Sequence, residues 1–397
     1  MRTRSMMFGD DGAGRSEPAR RIRVAIVAPS LGILGGQAVQ AERLLRAWRA
    51  DSEIEAWLVP INPSLPAAIA RIKYLRTIAT QLVYWPLLFR ELRHADVVHV
   101  FSASYSSFLL APLPAFVVSR LLGKPVFINY RSGEAPDHLA RSRVARAVLR
   151  RTDTNVVPSR FLRDVLARFG LRAEIIANVV DTTRFRFVPR RTVKPRIVST
   201  RNFEPLYNVE CTLRAFRIVQ DRFPDASLTL VGAGSQEQRL RALVEMLGVR
   251  HVRFVGAVAP DEMWRQYAES DIYIQTPNID NMPSSILEAF SSGLPVVATD
   301  AGGVSAILTD GVHGLLAPIG EHEAVAERVL RFLGDQALVD RMTEAARETC
   351  QKYTWAAVRD EWRALYRQLA RRRSMRRRHT AIQRPSTLPN RERRAVG

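Results

Sequence analysis

Short apolar segments alternate with longer helical ones along nearly the whole chain. The first example begins with IRVAIVA at residues 22–28, continues through the loop PSLGILGGQ, and leads into the helical segment AVQAERLLRAWRA. An unbroken apolar run of this length is typical of a strand buried on both faces, whereas the following segment has helical periodicity. Such alternation favours a parallel, doubly wound α/β sheet that is covered by helices on both faces.

The alternation forms two series. In the first half, strands are predicted at 22–28, 56–59, 97–101, 126–129 and 154–157. In the second half, strands are predicted at 196–200, 227–232, 252–255, 271–275 and 295–298, with helices at 209–222, 235–248, 260–269 and 284–292. A length of 397 residues also exceeds what one hydrophobic core usually covers. We therefore expect two Rossmann-like domains facing each other across a cleft.

The segment VPRRTVKP at 188–195 has the prolines and charges that are typical of a linker. We predict a disordered leader at 1–21, a first domain at 22–190 and a second domain at 191–354. A C-terminal helix at 355–370 and a disordered Arg-rich tail at 371–397 follow. The predicted helix has an apolar face formed by Trp355, Val358, Trp362, Leu365 and Leu369.

The net charge of +20 is unevenly distributed. Residues 1–192 carry +15, residues 193–370 carry −4, and the tail from residue 371 carries +9. This asymmetry predicts that only the first half and the tail face a polyanion such as anionic lipid. The tail lacks aromatic residues, so nucleic acid is not an expected partner.

Compartment and membrane topology follow from what the sequence lacks. The leader has no apolar segment like that of a signal peptide. Cys211 and Cys350 are too few for a disulfide framework. The longest uncharged run, 97–119, is too polar for a spanning helix. We expect a cytoplasmic protein, associated at most with a membrane surface.

Residues 66–93 combine basic residues with Ile, Leu, Trp and Tyr. The pattern predicts an amphipathic helix broken at Pro86. Its apolar face suits either a membrane surface or a lipid-linked acceptor, and it equally fits an ordinary helical pair that covers the sheet.

The segment 280–303, DNMPSSILEAFSSGLPVVATDAGG, contains two notable carboxylates. Glu288 lies within an apolar helical pattern, where burying an unpaired charge is costly. Asp280 lies in the loop before this helix, whose first residues Ser284 and Ser285 expose free N–H groups. This helix start suits a phosphate, with Glu288 one turn on at a ribose diol. A surface Glu and an N-cap Asp are the alternative interpretation.

This segment resembles the donor loop of the family 4 retaining glycosyltransferases of the GT-B fold. The family pattern is an acid, seven residues, a Glu, and then A-x-x-x-G-x-P-V-V-A-T-x-x-G-G. The matching residues here are Asp280, Glu288, Ala289, Gly293, Pro295, Val296, Val297, Ala298, Thr299, Gly302 and Gly303. The resemblance implies that Glu288 binds the ribose hydroxyls and that Asp280, in place of the usual Glu, binds the hydroxyls of the donor sugar.

The resemblance extends over residues 22–370. Gly35 and Gly36 correspond to the family's first glycine loop, which approaches the donor phosphate or the acceptor. Residues 157–166 and 178–185 resemble segments that close the first domain. Gly232 and Gly234 resemble the family's VG-x-G turn, and Val258 ends a stretch where the nucleotide base meets main-chain atoms.

Arg201 resembles the arginine that holds the donor diphosphate in the family's G-R-L-x-x-x-K-G element. The planar guanidinium suits this role because it donates several charge-assisted hydrogen bonds. The partner Lys of the family is absent, and Tyr207 or Asn208 stands near its place. One phosphate-neutralising charge is therefore missing from the second domain.

The loop after strand 126–129 is the second departure from the family. The family often has a His near the reacting carbon there, whereas this chain has Tyr130 and Arg131. One hypothesis is that Arg131 replaces the missing Lys by facing the diphosphate across the cleft. Glu134 and Asp137 in the same loop are equally compatible with a solvated surface. His99 ends a strand and fits a core histidine better than a catalyst.

No Asp-x-Asp pair and no Cys/His cluster has the spacing of metal ligands. We therefore expect no metal and no cofactor besides the nucleotide-sugar donor. The resulting prediction is a glycosyltransferase that acts with retention on a cell-envelope glycan or a lipid-linked acceptor. A GT-B sugar-nucleotide epimerase and a non-catalytic sugar-nucleotide-binding relative remain as alternatives.

Overall fold

The apolar segments form the strands of two separate six-stranded parallel sheets, as the sequence predicts. The structure is a computed structural model that describes residues 20–32, 35–66, 72–102 and 104–382. The predicted leader, apart from Arg20 and Arg21, lies outside the described residues.

The first sheet has the strand order β2-β1-β3-β4-β5-β6. Its strands are β1 (Ile22–Ala28), β2 (Ile54–Pro60), β3 (Val97–Ser102), β4 (Val126–Tyr130), β5 (Thr154–Val157) and the two-residue β6 (Glu174–Ile175). The helices are α1 (Gly36–Trp48), α2 (Lys73–Leu92), α3 (Tyr105–Leu110), α4 (Pro112–Leu121), α5 (Ala135–Arg141), α6 (Arg143–Arg151) and α7 (Arg160–Arg168). The core strands are buried on both faces because helices cover both sides of the sheet.

The second sheet has the order β12-β11-β10-β7-β8-β9. Its strands are β7 (Arg196–Ser199), β8 (Ser227–Val231), β9 (Val252–Gly256), β10 (Ile272–Gln275), β11 (Val296–Thr299) and β12 (Leu315–Ala317). The helices are α8 (Val209–Arg222), α9 (Glu237–Leu247), α10 (Met263–Ala268), α11 (Ser284–Ser292), α12 (His322–Gly334), α13 (Gln336–Cys350) and α14 (Trp355–Ile382). The short strands β6 and β12 were not predicted because two or three residues carry too little pattern.

Each sheet reverses its winding direction at one place. In the first sheet β1 lies beside β3, and in the second sheet β7 lies beside β10. Loops that follow such neighbouring strands diverge and leave a crevice, which is where open α/β sheets bind ligands. The segments after β1, β7 and β10 contain Gly35, Arg201 and Asp280, respectively.

The C-terminal helix returns to the first domain. Val358, Trp362 and Tyr366 of α14 pack in one cluster with Val24 and Trp48 of the first domain. The helix extends beyond its expected end at residue 370, because α14 continues to Ile382. Residues 383–397 of the predicted tail lie outside the described residues.

The predicted break at Pro86 was also wrong, since α2 continues through it. Proline removes one helical hydrogen bond, which leaves the carbonyl of the residue four positions earlier without that donor. That residue, Leu82, is 72% exposed, and Pro86 itself is exposed. Water can therefore bind the carbonyl. Among the described residues, no helix is long and apolar enough to cross a bilayer.

Candidate functional site

Arg201 and Asp280 meet where the loops after β7 and β10 converge. Arg201 Nη2 lies 2.5 Å from Asp280 Oδ2, and Arg201 Nη1 donates to Ser285 Oγ at 3.2 Å. Burial by itself lowers the pKa of Arg201, but Asp280 and Tyr207 together raise it above its ordinary value. The guanidinium therefore stays charged at the start of α11.

Gly232 allows the loop bearing Arg201 to approach its neighbour. A Cβ at Gly232 would lie 2.3 Å from the Arg201 carbonyl oxygen, and the φ angle of +154° also favours glycine. The same crowding occurs at Gly234, whose Cβ would meet the Phe203 carbonyl at 2.5 Å. The two predicted glycines thus position Arg201 through backbone packing.

The Asp280 loop is fixed in the same way from the other side. A Cβ at Gly303 would lie 1.7 Å from the Asn281 carbonyl oxygen, and Gly303 N donates to the Asp280 carbonyl at 2.8 Å. The glycines after β11 therefore hold the Asp280 backbone against the start of α11.

Glu288 lies on the second turn of α11 and is only 7% exposed. Both carboxylate oxygens have partners. Arg43 Nη2 lies 2.5 Å from Oε1, and the Tyr267 hydroxyl donates to Oε2 at 2.9 Å. Burial, together with the Glu288 charge, raises the pKa of Tyr267 well above its usual range, so this hydroxyl keeps its proton. Glu288 is thus a buried, paired carboxylate rather than the surface Glu of the alternative interpretation.

A network of side chains links Glu288 to Arg201. Thr200 Oγ1 contacts the Tyr267 hydroxyl at 2.8 Å and the Tyr273 hydroxyl at 3.4 Å. Tyr273 and Ser285 both donate to Gln275 Oε1 at 3.1 Å, and Ser285 accepts from Arg201. The two charged groups are therefore connected through one continuous hydrogen-bond network.

Two buried N–H groups at this place lack a partner among the described residues, namely Arg201 Nε and Gln275 Nε2. Unsatisfied buried donors are rare in folded proteins and indicate a site that receives an additional acceptor. The first N–H groups of α11 add to them, because Pro283 precedes the helix and offers no side-chain cap. Donors and positive charge converge here, which suits an anion.

Arg131 lies between the two domains. Its guanidinium donates to Asn178 Oδ1 and lies 5.1 Å from the Phe101 ring centroid. Its carbonyl accepts from Asn281 Nδ2 of the Asp280 loop. Within the described part of the chain, no carboxylate is within ion-pair distance of this side chain. Burial lowers the pKa of Arg131 to about 9.

His99 lies in the core, which is the interpretation that the sequence favoured, and Tyr130, which we considered for the cleft, lies there as well. His99 is fully buried and bonds Tyr366 and Asn129 through its two ring nitrogens. Burial and then the charge of Arg131 hold the pKa of His99 well below its ordinary value, so the ring is neutral. Tyr130 is also fully buried, and its hydroxyl bonds Ser104 and His138. Helix α14 excludes His99 from the cleft by packing over it.

The position of the missing Lys contains no cation. The Tyr207 ring lies 4.0 Å from the Arg201 guanidinium carbon, which supports the guanidinium but adds no charge. Asn208 caps α8 by accepting from Cys211 N. The second domain therefore provides a single guanidinium at this point.

The predicted glycine loop and the base-binding segment border the cleft. Gly35 precedes α1, and a Cβ at Gly35 or Gly36 would meet no atom of the described residues within 4 Å. Open space beside these glycines allows a ligand to approach the backbone. Val258 is partly buried after β9 and packs against the cluster that contains α11.

Three polar residues at the site were not predicted. Gln40 of α1 donates to Ser284 Oγ at 2.9 Å, and Arg43 of α1 reaches Glu288. Asn178 donates to the Met282 carbonyl at 2.8 Å. Asn178 did carry a signal, because it begins the NVVDTTRF segment. The contacts of Gln40 and Arg43 join residues more than 240 positions apart, and no local pattern indicates them.

Two carboxylates follow β4, namely Glu134 directly before α5 and Asp137 in the first turn of that helix. Asp137 accepts from the Tyr105 hydroxyl at 2.7 Å. Burial is the largest cause that raises the pKa of Tyr207. The charge of Arg201 lowers this pKa, and the charges of Asp280 and Glu134 raise it further. Glu134 thus acts electrostatically across the cleft. Among the described residues, no group of three or more His, Cys, Asp or Glu side chains is placed to hold a metal ion.

Known proteins are similar to this chain in sequence. The chain is 26% identical over 376 residues to a phosphatidyl-myo-inositol mannosyltransferase of Mycobacterium leprae, covering 88% of this chain and 97% of that protein. It is 26% identical over 313 residues to the sulfoquinovosyl transferase SQD2 of Arabidopsis thaliana, covering 72% of this chain and 59% of that protein.

The fold also matches solved structures. The Anabaena protein HepE in complex with UDP-glucose superposes with a TM-score of 0.70 at 17% identity, covering 89% of this chain and all of that chain. Residues 18–184 match the description Glycosyltransferase Family 4, and residues 181–349 match Glycosyl transferases group 1. The chain therefore belongs to the GT-B glycosyltransferases of the family 4 type.

Proposed function

We propose that the protein transfers a sugar, with retention, from a nucleoside diphosphate sugar to a cell-envelope glycan or a lipid-linked acceptor. The observation that carries the proposal is the Arg201–Asp280–Ser285 cluster at the β7–β10 crevice, with Glu288 one turn along the same helix. These side chains combine an anion site with two carboxylates at the spacing of the family's donor loop.

The donor roles follow from the chemistry of each group. Glu288 accepts from the ribose hydroxyls, and Asp280 accepts from hydroxyls of the transferred sugar. Arg201 and the first N–H groups of α11 around Ser284 and Ser285 bind the diphosphate. The base lies against the backbone near Val258.

The reaction breaks the bond between the anomeric carbon and the diphosphate oxygen, and it forms a bond from that carbon to an acceptor oxygen. The acceptor hydroxyl loses its proton, and the diphosphate leaves with an additional negative charge. Preorganised donors at the start of α11 stabilise this charge, which is the usual role of a cation in such transfers. We propose on this basis that transfer needs no metal ion.

Arg131 supplies the second positive charge in this proposal. It is partly buried without a carboxylate partner within the described residues, and its carbonyl contacts the Asp280 loop from the first domain. A desolvated guanidinium interacts strongly with an anion because the surroundings screen it weakly. It takes the place of the absent family Lys from the opposite side of the cleft.

We propose a membrane-linked acceptor because helix α2 exposes a stripe of apolar side chains. Tyr84 and Leu88 face the core, whereas Ile78, Leu82 and Phe89 are 59%, 72% and 39% exposed. Gln81 donates to the Leu110 carbonyl, so α3 lies alongside and adds the exposed Leu109 and Leu110. An exposed apolar stripe beside arginines suits the interface of an anionic bilayer. We propose that the protein works in the cytoplasm on this membrane face.

The test begins with a thermal-shift screen of UDP, GDP and ADP and their sugar conjugates. A ligand at one hundred times its dissociation constant adds about 2.7 kcal/mol of stability, which raises the melting temperature measurably. Glu288→Ala should then lower turnover by roughly 10²-fold or more, since two hydrogen bonds to a charged group are worth about 3 kcal/mol or more.

Controls separate the competing functions. Transfer that survives EDTA supports the metal-free mechanism, whereas loss of activity that Mg²⁺ or Mn²⁺ restores contradicts it. Conversion of the donor sugar without any acceptor would indicate an epimerase. Binding without transfer or hydrolysis would indicate a non-catalytic relative. Near wild-type transfer by Glu288→Ala would refute the role of Glu288.

A further inference from the structure

A residue of the first domain, Arg43, already binds the Glu288 carboxylate, which is the proposed partner of the ribose hydroxyls. Arg43 lies 2.5 Å from Glu288 Oε1, and the two side chains are 15% and 10% exposed. Tyr267 donates to the other oxygen. Each oxygen accepts one bond and keeps a second lone pair, but the Glu288 side chain is only 10% exposed, so a ribose diol reaches the carboxylate only when Arg43 withdraws.

The Tyr267 side chain cannot move aside to let the ribose reach Glu288 Oε2. Its ring is fully buried in the second domain, and its hydroxyl also contacts Thr200 at 2.8 Å. It packs against Tyr273 at 5.7 Å and against Phe185 at 5.5 Å between ring centroids. The oxygen that can become available is the one that Arg43 occupies.

Arg43 is tied to the first domain by its other hydrogen bond, and its guanidinium also lies 5.8 Å from the Phe185 ring centroid. Its Nη1 donates to the Val179 carbonyl at 3.0 Å, and the neighbouring Gln40 also bonds Val179 through both its amide nitrogen and its amide oxygen. Val179 packs with the cluster that contains β1 and α14. When the domains separate, Arg43 thus remains in place on α1, and the bond to Glu288 is the one that breaks.

We infer that Arg43 and the donor's ribose compete for Glu288, so that Arg43 sets the nucleotide affinity and promotes release of the nucleoside diphosphate product. This inference rests on the proposed donor role of Glu288. Because the two partners exclude each other, nucleotide binding separates α1 from α11, and return of Arg43 displaces the product. The coupling is reciprocal, as any linkage between two binding events must be.

Arg46 provides a matched control on the same helix. It lies one turn beyond Arg43 and also pairs with the second domain, since its Nη1 lies 3.1 Å from Asp261 Oδ1. This second pair is at the surface, where Arg46 and Asp261 are 43% and 57% exposed, and it does not involve Glu288. Arg43→Met and Arg46→Met each remove one ion pair between domains, and only the first frees the carboxylate.

The experiment measures the dissociation constant and the dissociation rate of UDP and of GDP for the full-length wild type and both variants. Arg43→Met should bind about 5-fold more tightly or better, within the usual range of coupling between sites. Its dissociation should be correspondingly slower. Arg46→Met should stay within about twofold of the wild type, because its ion pair is solvated.

Weaker or unchanged binding by Arg43→Met, with a wild type that does bind, overturns the inference and leaves the proposed function intact. Binding by neither protein refutes both. Tighter binding by Arg43→Met alone supports the inference even where the wild type binds too weakly to measure.

A conservative variant guards against misfolding, since removing one partner of a buried ion pair is often strongly destabilising. Arg43→Lys keeps the charge but cannot bond Glu288 and Val179 with two separate nitrogens. It should fold and bind with an affinity between those of the wild type and Arg43→Met. Binding weaker than the wild type by Arg43→Lys also overturns the inference.

Discussion

Two partly buried arginines in the cleft lie in opposite electrostatic surroundings. Arg201 is paired with Asp280, which helps to keep its pKa above the ordinary value despite burial. Arg131 contacts uncharged amides and the Phe101 ring, and burial lowers its pKa to about 9. A buried cation without a carboxylate costs stability unless a ligand supplies the missing negative charge.

Arg131→Met should therefore raise the stability of the unliganded protein while weakening the binding of nucleoside diphosphate. The free nucleoside should bind equally well to both proteins, because the proposed partner of Arg131 is phosphate. Calorimetric titration with UDP and uridine, or GDP and guanosine, together with thermal melting, checks these expectations. Equal losses for nucleoside and diphosphate would show that Arg131 does not contact the phosphates.

The lowered pKa of Arg131 also gives a pH dependence with a definite sign. Because the folded protein releases this proton near pH 9 and the unfolded chain holds it up to the higher ordinary pKa of arginine, stability from this group rises with pH between the two values. Diphosphate binding needs the charged form, so its affinity should fall above about pH 9. His99 beside it is already neutral there and adds no competing step. The Arg131→Met variant should lack this fall.

At the scale of elements, α2 and α11 show how one helix can have two faces with different roles. On α11, the first turn presents N–H groups to the crevice while Ile286, Leu287 and Phe290 anchor the helix in the core. On α2, Tyr84 and Leu88 face the core while Leu82 points to solvent at 72% exposure. Apolar side chains on the outer face contribute nothing to the fold, so they are available for a membrane.

Leu82→Glu should weaken co-sedimentation with anionic vesicles severalfold, because burying a carboxylate in the interface opposes insertion of the stripe. Met246→Glu is the matched control, since Met246 is 71% exposed on α9 of the second domain. Nucleotide affinity should be unchanged in both variants. Equal vesicle binding by the wild type and Leu82→Glu would exclude α2 as the contact surface.

At the scale of the whole molecule, the two domains are joined by α14 as well as by the linker. Arg363 of α14 lies 2.5 Å from Asp51, and Leu369 and Ala370 are the last residues that pack against the first domain's core. Of the basic residues that follow Ala370, Arg372 donates to the Asp153 carbonyl of the first domain at 3.4 Å. Each Arg close to an anionic leaflet adds about 1 kcal/mol of attraction.

Truncation after Ala370 should therefore weaken vesicle binding and leave nucleotide binding intact, because the donor-site contacts involve no residue beyond that point. High salt should have the same effect as the truncation, since exposed charges are screened within about 8 Å at physiological ionic strength. Co-sedimentation across a salt series, with nucleotide affinity measured in parallel, checks both statements. Loss of nucleotide binding on truncation would mean that α14 beyond Ala370 supports the donor domain.

The sequence was sufficient to predict the two sheets, because apolar runs such as IRVAIVA are typical of parallel strands that helices cover on both faces. It also indicated Arg201, Asp280 and Glu288, because each of these residues belongs to a motif that lies within a short continuous segment. What it could not determine was which side chain each of these residues meets. Arg43 reaches Glu288 from 245 positions away, and periodicity carries no information about such contacts.

Burial in three dimensions decided the remaining assignments. His99 lies within β3 rather than at its end, and the packing of α14 across the sheet covers it. Local geometry predicts a helix break at Pro86. Helix α2 nevertheless continues, because Leu82, whose carbonyl loses its helical hydrogen bond, is exposed to water. Local sequence determined which segments became strands and which carried the donor motif, since both depend on neighbouring residues. Tertiary structure alone decided solvent access and charge pairing, because both depend on which distant elements pack together.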